Sequence, residues 1–321
     1  FTGVADMELD PAEMPVVLSQ HFRHGTPAQP AEQAITADES DERWLSKVFA
    51  VVRTKMGHDF AAYKRTTLLR RIRRRMTLHE IDRYDEYIRL LRQNSVEVET
   101  LFREFLIGVT HFFRDTESFE TLRDKALVPL LKEIPPDTTL RVWVPGCSTG
   151  EEAYSIAMVI HEAMDELPEK RLSYQIFGTD IDSRAIQKAR TGLFPQSIAA
   201  DVTEARMRRF FVKEGDTYRV RKELRESVIF SVQDVLKDPP FSRLNLLCCR
   251  NLLIYLERTE QERLLRLFHY TLQPDGVLML GSSETIGSFT RLYSTVDNRW
   301  KIYRRREVAD GRRQRVPPAI C

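Results

Sequence analysis

Glycines and carboxylates cluster where two apolar runs of the chain end. Residues 140–144 lead into the turn Gly146-Cys-Ser-Thr-Gly-Glu-Glu152, and residues 174–179 lead into Asp180-Ile-Asp182. Glycines let a ligand approach the backbone, and free N–H groups at a helix start point at it. A carboxylate at the end of the second strand can accept both ribose hydroxyls. The pattern predicts a nucleotide-type cofactor, with Asp180 on the ribose and Asp182 capping the next helix.

The charge of this turn narrows the choice of cofactor. Its spacing is neither G-x-G-x-x-G nor G-x-x-x-x-G-K-[ST], so the dinucleotide and phosphate-loop motifs are both missing. Two carboxylates at the helix start, Glu151 and Glu152, would repel a pyrophosphate. They suit a positively charged cofactor, such as one with the sulfonium and amino group of S-adenosylmethionine (SAM).

A third polar group follows the apolar run 244–248. Cys249-Arg250-Asn251 comes directly after it, and Tyr255 lies four residues beyond Asn251. Ligands of open α/β sheets sit outside the carboxyl ends of the strands, so Arg250 and Asn251 are expected to face cofactor and substrate. Taken alone, a tyrosine at position 255 is more often a core residue than a catalytic group.

Two kinds of element must position these residues. Residues 41–108 carry helical periodicity, and from residue 136 onward short apolar runs alternate with helical segments, which is typical of a parallel sheet covered on both faces. Residues 210–220 alternate around Gly215-Asp216, which indicates an inserted antiparallel hairpin. We expect a preceding tail and linker over 1–40, a helical domain over 41–115, an α/β domain over 116–306 with a β-subdomain at about 205–225, and a tail over 307–321.

The composition argues against a membrane-spanning protein and against a small protein held by disulfides. With 321 residues, 42% hydrophobic and 30% charged, and no apolar stretch of about 18 residues, the chain is expected to be a soluble protein of two domains without membrane insertion. Its four cysteines, Cys147, Cys248, Cys249 and Cys321, have no C-x-x-C spacing, so neither a disulfide framework nor a metal site is expected. A reducing, cytoplasmic setting fits this composition. The first residue is Phe1, which suggests a piece of a longer chain.

Five segments share their residues and order with one enzyme family. They are Val-Thr110-His-Phe-Phe-Arg114; Ser148-Thr-Gly-Glu-Glu-Ala-Tyr-Ser155; Gly178-Thr-Asp-Ile-Asp182; Cys249-Arg-Asn-Leu-Leu-Ile-Tyr255; and Leu272-Gln-Pro-Asp-Gly276 with Gly281-Ser-Ser-Glu284. Together they resemble the CheR-type chemotaxis protein-glutamate O-methyltransferases over about residues 41–305. The resemblance implies a Rossmann-like class I SAM-dependent methyltransferase domain with a small inserted antiparallel β-subdomain, preceded by an all-helical N-terminal domain.

The resemblance also implies a site, residue by residue. Its catalytic residues would be Arg114 and Tyr255, the latter orienting the substrate carboxylate, and Glu152, preferred over Glu151, would lie near the methionine amino group of SAM. The full set implied at the cofactor and its product S-adenosylhomocysteine is Gly108, Thr110, Arg114, Gly146, Glu152, Asp180, Asp234, Val235, Arg250 and Asn251. The family often has Asn at position 108 and Asn-Leu at 234–235, so this chain departs from the pattern at those places.

A weaker resemblance concerns residues 2–15. This run looks like the end of a CheB-type methylesterase domain, which would make the chain part of a methylesterase and methyltransferase fusion. The alternative is an ordinary amphipathic tail. A fused or cognate methylesterase is therefore an expected partner.

The expected reaction moves a methyl group from SAM to glutamate carboxylates of methyl-accepting chemotaxis receptors. Residues 44–92 carry 13 Lys and Arg against 5 Asp and Glu. The basic helix they contain would dock the acidic cytoplasmic helices of the receptor through Arg70, Arg71, Arg73, Arg74 and Arg75.

Two other functions compete with this one. Asp238-Pro-Pro-Phe241 matches the D-P-P-[YF] signature of nucleic-acid amino-methyltransferases, but it precedes the apolar run 244–248 rather than following it, so it is interpreted as a turn. A non-catalytic basic module that neutralises phosphates is the other alternative. Neither is preferred, and no nucleic-acid partner is expected.

Overall fold

A computed structural model describes residues 39–307, with side chains from residue 43 onward. The expected tails, the methylesterase-like run 2–15 and Cys321 lie wholly or largely outside these residues. Within the described part of the chain, no helix is long and apolar enough to cross a bilayer.

Within the described residues, the N-terminal part consists of four helices: α1 (Glu39–Met56), α2 (Arg65–Leu78), α3 (Tyr84–Gln93) and α4 (Ser95–Phe105). The predicted amphipathic pattern of α2 is confirmed, because Leu68, Leu69, Ile72 and Met76 are its buried residues. The side chain of Asn94 caps α4 by accepting from the backbone N–H groups of Val96 and Glu97.

The α/β part begins with the short helices α5 (Thr116–Leu122) and α6 (Val128–Glu133), joined by a π-helical turn. Its main elements then follow in the order β1 (Thr139–Pro145), α7 (Glu151–Asp165), β2 (Ser173–Asp180), α8 (Ser183–Thr191), β3 (Leu193–Pro195), α9 (Glu204–Phe210), β4 (Phe211–Glu214), β5 (Thr217–Val220), α10 (Lys222–Glu226), β6 (Val228–Val232), β7 (Leu244–Cys249), α11 (Arg258–Thr271), β8 (Leu272–Leu280), β9 (Tyr293–Asp297) and β10 (Ile302–Arg305).

Seven strands form one sheet in the order β6-β2-β1-β7-β8-β10-β9. The strands from β6 to β8 are parallel to their neighbours, whereas β10 pairs antiparallel with both β8 and β9. Strand order reverses between β1 and β7, which places a crevice at their carboxyl ends. The predicted Rossmann-like class is confirmed, but the antiparallel edge made by β9 and β10 was not predicted.

A second sheet is small and antiparallel, in the order β3-β5-β4. The predicted hairpin is β4 and β5, joined by the two-residue turn Gly215-Asp216. The strand β3 adds to this sheet and lies before the expected range of about 205–225. The sequence did not indicate β3, because three residues, one of them Pro195, are too few to show a strand pattern.

Alternate residues of β1 face two apolar cores. Leu140, Val142 and Val144 pack with α7 and with helices on one side of the sheet, whereas Trp143 packs on the other side. That second core also contains buried residues of α1, α2, α3 and α4. The helical part therefore shares its core with one face of the sheet, and this fixes its position beside the crevice.

Candidate active site

A cleft opens at the carboxyl ends of β1, β2 and β7, with about 1100 Å³ of empty space including its mouth. Residues 105–111, Arg114 and Tyr63 line it as well. All eleven residues that the sequence assigns to catalysis or to the cofactor line this one cleft: Gly108, Thr110, Arg114, Gly146, Glu152, Asp180, Asp234, Val235, Arg250, Asn251 and Tyr255.

The turn after β1 depends on its glycines. Gly146 and Gly150 have φ angles of +71° and +96°, which L side chains rarely adopt. A Cβ at Gly150 would also lie 2.9 Å from the Cβ of Ala189. The glycines thus let the chain reverse into α7 while Gly146 keeps its backbone on the cleft.

Asp180 closes the turn from the end of β2. Its Oδ2 accepts from the N–H of Ser148 at 2.8 Å, and its Oδ1 accepts from the N–H of Asp182 at 2.9 Å. Burial raises the pKa of the Asp180 carboxyl above its ordinary value. Asp182 caps α8 by accepting from the N–H groups of Arg184 and Ala185, which confirms the prediction for that residue. Each Asp180 oxygen keeps a further lone pair for a ligand donor.

The two glutamates at the start of α7 point in different directions. Glu151 accepts from the Thr149 hydroxyl at 2.7 Å, whereas Glu152 lines the cleft. Arg250 donates to Oε2 of Glu152 at 3.2 Å, and the Cys248 thiol donates to Oε1 at 3.4 Å. Burial raises the pKa of Glu152, and the nearby Arg250 charge opposes that shift. Helix phase, which the sequence leaves open, thus turns Glu152 rather than Glu151 toward the cleft.

Arg250 is a buried link between β7 and the segment that carries Arg114. Only 1% of its side chain is exposed. Its Nη2 donates to the carbonyl of Arg114 and to Oδ2 of Asp115, both at 2.8 Å. Phe113 and Asp115 flank Arg114 with φ angles of +50° and +61°. Such backbone is unfavourable for L residues and needs support from its surroundings. The bonds from Arg250 provide that support and hold Arg114 in place.

Arg114 and Tyr255 both line the cleft, and the charge of Arg114 acts on Tyr255. Nη1 of Arg114 donates to the carbonyl of Val109 at 3.2 Å. Burial raises the pKa of Tyr255, while the positive charges of Arg114, Arg71 and Arg70 oppose this. Tyr255 therefore presents a neutral hydroxyl near neutral pH, beside cationic side chains that can hold a carboxylate.

Asn251 has left-handed backbone, with φ +57°. Its N–H donates to Oε2 of Glu284 at 3.1 Å, and the N–H of Gly281 donates to the same atom at 2.7 Å. Glu284 is 4% exposed. This buried carboxylate binds the Asn251 backbone. It thereby joins the two motifs, residues 249–255 and 281–284, that are distant in sequence.

Asp234 and Val235 lie in the loop after β6. Oδ1 of Asp234 accepts from the N–H of Leu236 at 2.9 Å, and Oδ2 of Asp238 accepts from the N–H of Asp234 at 2.7 Å. Residues 238–241 do not line the cleft. The D-P-P-F segment is thus a turn that closes the Asp234 loop, as interpreted from the sequence.

The five arginines of α2 that the sequence assigns to docking lie outside the residues that line the cleft, and they do not form one uniform surface. Arg70 and Arg73 are exposed, whereas Arg71 and Arg74 are half-buried. Arg75 is bound within the helical part, where its Nε donates to Oε1 of Glu97 at 3.0 Å and its Nη2 pairs with Oε2 of Glu97 at 2.5 Å. The Glu97 side chain is only 3% exposed. Arg75 therefore stabilises the packing of α2 against α4. The sequence-based assignment of Arg75 to the docking surface is wrong, because its guanidinium is bound by Glu97.

Sequence reasoning missed several residues of the cleft wall. Tyr63, Phe119, Gln233 and Leu252 all line it. Their residue types are ordinary for a core, and Tyr63 comes from a loop distant in sequence from every strand. The Leu252 side chain approaches Gly146, where an added Cβ would lie 3.3 Å from it. Its adjacency to Asn251 was the one signal available.

Comparison with known proteins agrees with this geometry. Residues 108–302 match the CheR methyltransferase SAM binding domain, and residues 44–106 match the CheR methyltransferase all-alpha domain. A chemotaxis protein methyltransferase of Salmonella typhimurium is 30% identical over 77% of this chain and 85% of its own length. One of Listeria monocytogenes is 30% identical over 74% of this chain and 87% of its own length.

A 104.1 kDa protein of Rhodobacter capsulatus is 38% identical over 81% of this chain. The matched residues span only 27% of that relative's length. On the match of both domains and of the chemotaxis methyltransferases, the chain belongs to the CheR methyltransferase family.

Proposed function

We propose that this chain transfers a methyl group from SAM to glutamate carboxylates of methyl-accepting chemotaxis receptors, leaving a glutamate methyl ester and S-adenosylhomocysteine. The observation that carries the proposal is the convergence of all eleven assigned residues on one cleft. The SAM binding domain of the family and the chemotaxis methyltransferases among the relatives support it.

The cleft suits a cationic nucleoside cofactor. Its described wall carries the carboxylates of Glu152, Asp180, Asp182 and Asp234 together with the guanidinium groups of Arg114 and Arg250. Buried carboxylates favour a bound positive charge. Asp180 would accept the ribose hydroxyls, and Glu152 would face the methionine amino group. Gly108, Thr110, Gly146, Val235 and Asn251 would contribute the surrounding wall and its backbone groups.

The chemistry requires positioning rather than proton transfer. When bound, SAM supplies a methyl group on a sulfonium. A glutamate carboxylate is already ionised at neutral pH, so no general base is needed. Arg114 would hold that carboxylate with its planar guanidinium, and the Tyr255 hydroxyl would donate to it. Holding the oxygen in line and excluding water accounts for the rate enhancement.

The receptor would dock through the exposed side of α2. Arg70 and Arg71 act electrostatically on Tyr255, so this basic surface adjoins the substrate end of the cleft. Acidic receptor helices would be attracted to Arg70, Arg71, Arg73 and Arg74. A cytoplasmic location and a fused or cognate methylesterase belong to the same proposal.

Calorimetric titration with SAM and with S-adenosylhomocysteine tests the cofactor half of the proposal. We expect one site for each compound in the isolated chain. Absence of binding to both compounds would overturn the assignment. A receptor cytoplasmic fragment whose modified glutamates are replaced by glutamine should then accept no methyl group, whereas the unaltered fragment should.

A further inference from the structure

One contact joins the helical part of the chain to the loop after β6. Nδ1 of His58 lies 3.1 Å from Oδ2 of Asp234. Both side chains are largely buried, with exposed fractions of 8% for His58 and 12% for Asp234. The residues are far apart in sequence, so this contact forms only when the helical part is seated on the sheet.

His58 takes no part in the reaction proposed above, and its surroundings are otherwise apolar. Its ring packs edge-on against Phe60, Tyr63 and Phe102, with centroids 4.7 to 6.2 Å away. A polar ring placed among aromatic rings costs free energy unless it has a partner. Asp234 is that partner on the Nδ1 side.

Asp234 in turn organises the loop that lines the cleft. Its carboxylate accepts from the N–H of Leu236, and its own N–H donates to Asp238. Gln233 holds the same loop by donating from Nε2 to the carbonyl of Pro239 at 2.7 Å. Gln233, Asp234 and Val235 line the cleft. The Asp234 side chain thus contributes to the shape of the loop, and its Oδ2 is contacted from outside the cleft by His58 at 3.1 Å and by Lys237 at 3.7 Å.

Neighbouring contacts tie the same helical segment to the α/β part. Glu257 donates its N–H to the carbonyl of Ala62 at 2.9 Å, and Lys64 donates its N–H to the carbonyl of Tyr255 at 2.8 Å. Tyr63 lines the cleft between them. Segment 57–64 therefore contacts the cofactor side and the substrate side of the cleft together.

We propose that His58 is a positioning residue for cofactor binding: it holds the Asp234 carboxylate, and through it the loop 233–236, in the shape that receives the cofactor. The proposal rests on the assignment of this cleft to SAM. It makes the helical part a component of the cofactor site as well as a docking surface for the receptor.

The decisive variants are His58→Leu and His58→Asn. Leucine removes the polar contact, and the asparagine amide can occupy the place of Nδ1. We expect His58→Leu to weaken S-adenosylhomocysteine binding by about tenfold, the change expected for losing one polar contact with a charged group. His58→Asn should restore most of the affinity. The rate at saturating SAM should change little, because the substrate side is untouched.

A measurement without cofactor separates positioning from general loss of stability. In His58→Leu, amide hydrogen exchange should accelerate at Leu236 and Asp238 but not at Asp182, whose N–H is held by Asp180. His161→Leu is the matched control, since His161 packs on Phe210 away from the cleft. Adding His58→Leu to Asp234→Asn should cause no loss of affinity beyond that of Asp234→Asn alone, because His58 acts on the cofactor site only through Asp234.

The outcomes distinguish this inference from the proposed function. If the unaltered chain binds neither SAM nor S-adenosylhomocysteine, the proposed function is wrong. If it binds them but His58→Leu binds them as tightly as the unaltered chain does, the role of His58 is wrong. The role is also wrong if His58→Asn restores none of the affinity that His58→Leu loses. Additive losses in the double variant, or faster exchange throughout the chain, would likewise overturn it.

Discussion

Asp180 shows how one carboxylate can serve both the fold and a ligand. It accepts two backbone N–H groups that shape the glycine turn and the start of α8. The sequence predicted its place at the end of β2 from the apolar run before it. It could not predict the two N–H partners, because those depend on how β1 and β2 pair.

Asp180→Ala should weaken SAM binding by about 1 to 3 kcal/mol, the cost of losing a charged acceptor. Asp180→Asn should lose less, since its oxygen still accepts from a backbone N–H. Calorimetry on folded protein provides the comparison, with Asp165→Ala as the surface control. Unchanged affinity in Asp180→Ala would remove this residue from the ribose site.

Arg114→Lys should lose far more turnover than its retained charge suggests, because an ammonium cannot form the two parallel hydrogen bonds of a guanidinium. Methyl transfer to a receptor fragment at saturating labelled SAM measures the effect. Arg123→Lys, a change outside the cleft, is the matched control. A rate close to that of the unaltered chain would exclude Arg114 from catalysis.

The carboxyls of the cleft give SAM binding a pH dependence. Burial raises the pKa of both Glu152 and Asp180, so these groups take up protons at a higher pH than ordinary carboxyls do. Their negative charge therefore decreases as the solution is acidified. Affinity for a cationic cofactor should fall with it, through protonation of Glu152 above pH 4.5 and of Asp180 above pH 3.8, the ordinary values for these side chains.

The variant Glu152→Gln tests the contribution of that glutamate. Titrations across pH should show a flatter profile in Glu152→Gln than in the unaltered chain, with Asp180 supplying the remainder. Glu151→Gln, whose side chain binds Thr149 instead, should keep the original slope. A slope that responds to Glu151 and not to Glu152 would reverse the assignment of the two residues.

At the scale of elements, the pattern of α2 predicted its buried face but not the use of each arginine. Arg75 pairs with Glu97 inside the helical part, and this pairing needs α4 to pack beside α2. The edge strands β9 and β10 were missed for a similar reason, since β10 pairs with β8 and β9 pairs with β10 without a turn motif to indicate either pairing.

Reversing the charge of α2 tests receptor docking. Arg71→Glu combined with Arg74→Glu should strongly reduce receptor methylation at low ionic strength, because long-range attraction is lost. The unaltered chain should lose activity steeply as salt is added. SAM affinity should stay constant, and Arg258→Glu on α11 provides a surface control. Unaltered methylation in the double variant would refute docking on this surface.

The small sheet carries a separate prediction about receptor tails. Such peptides usually dock by adding a strand to the edge of a sheet. The two-residue turn between β4 and β5 leaves little edge for an added strand. We expect a pentapeptide from a receptor tail to show no appreciable binding in fluorescence anisotropy. Micromolar affinity would show that the chain tethers itself through this sheet after all.

At the scale of the whole molecule, the cleft depends on parts far apart in the chain. The core that contains Trp143 of β1 also contains α1 to α4, so the helical part and the sheet fold against each other. The glycine turn, the polar strand ends and the family resemblance together identified eleven of the residues that line the cleft. They could not find Tyr63 or His58, since neither belongs to a motif and both reach the cofactor side only through interdomain packing.

The central claim is methyl transfer to a carboxylate. The most direct measurement incubates the chain with a receptor cytoplasmic fragment and methyl-labelled SAM, then treats the product with mild alkali and collects volatile methanol. We expect labelled protein whose label is released as methanol, because esters are hydrolysed by base and methylated amines are not. A base-stable label on the receptor, or no transfer by a chain that binds SAM, would contradict it.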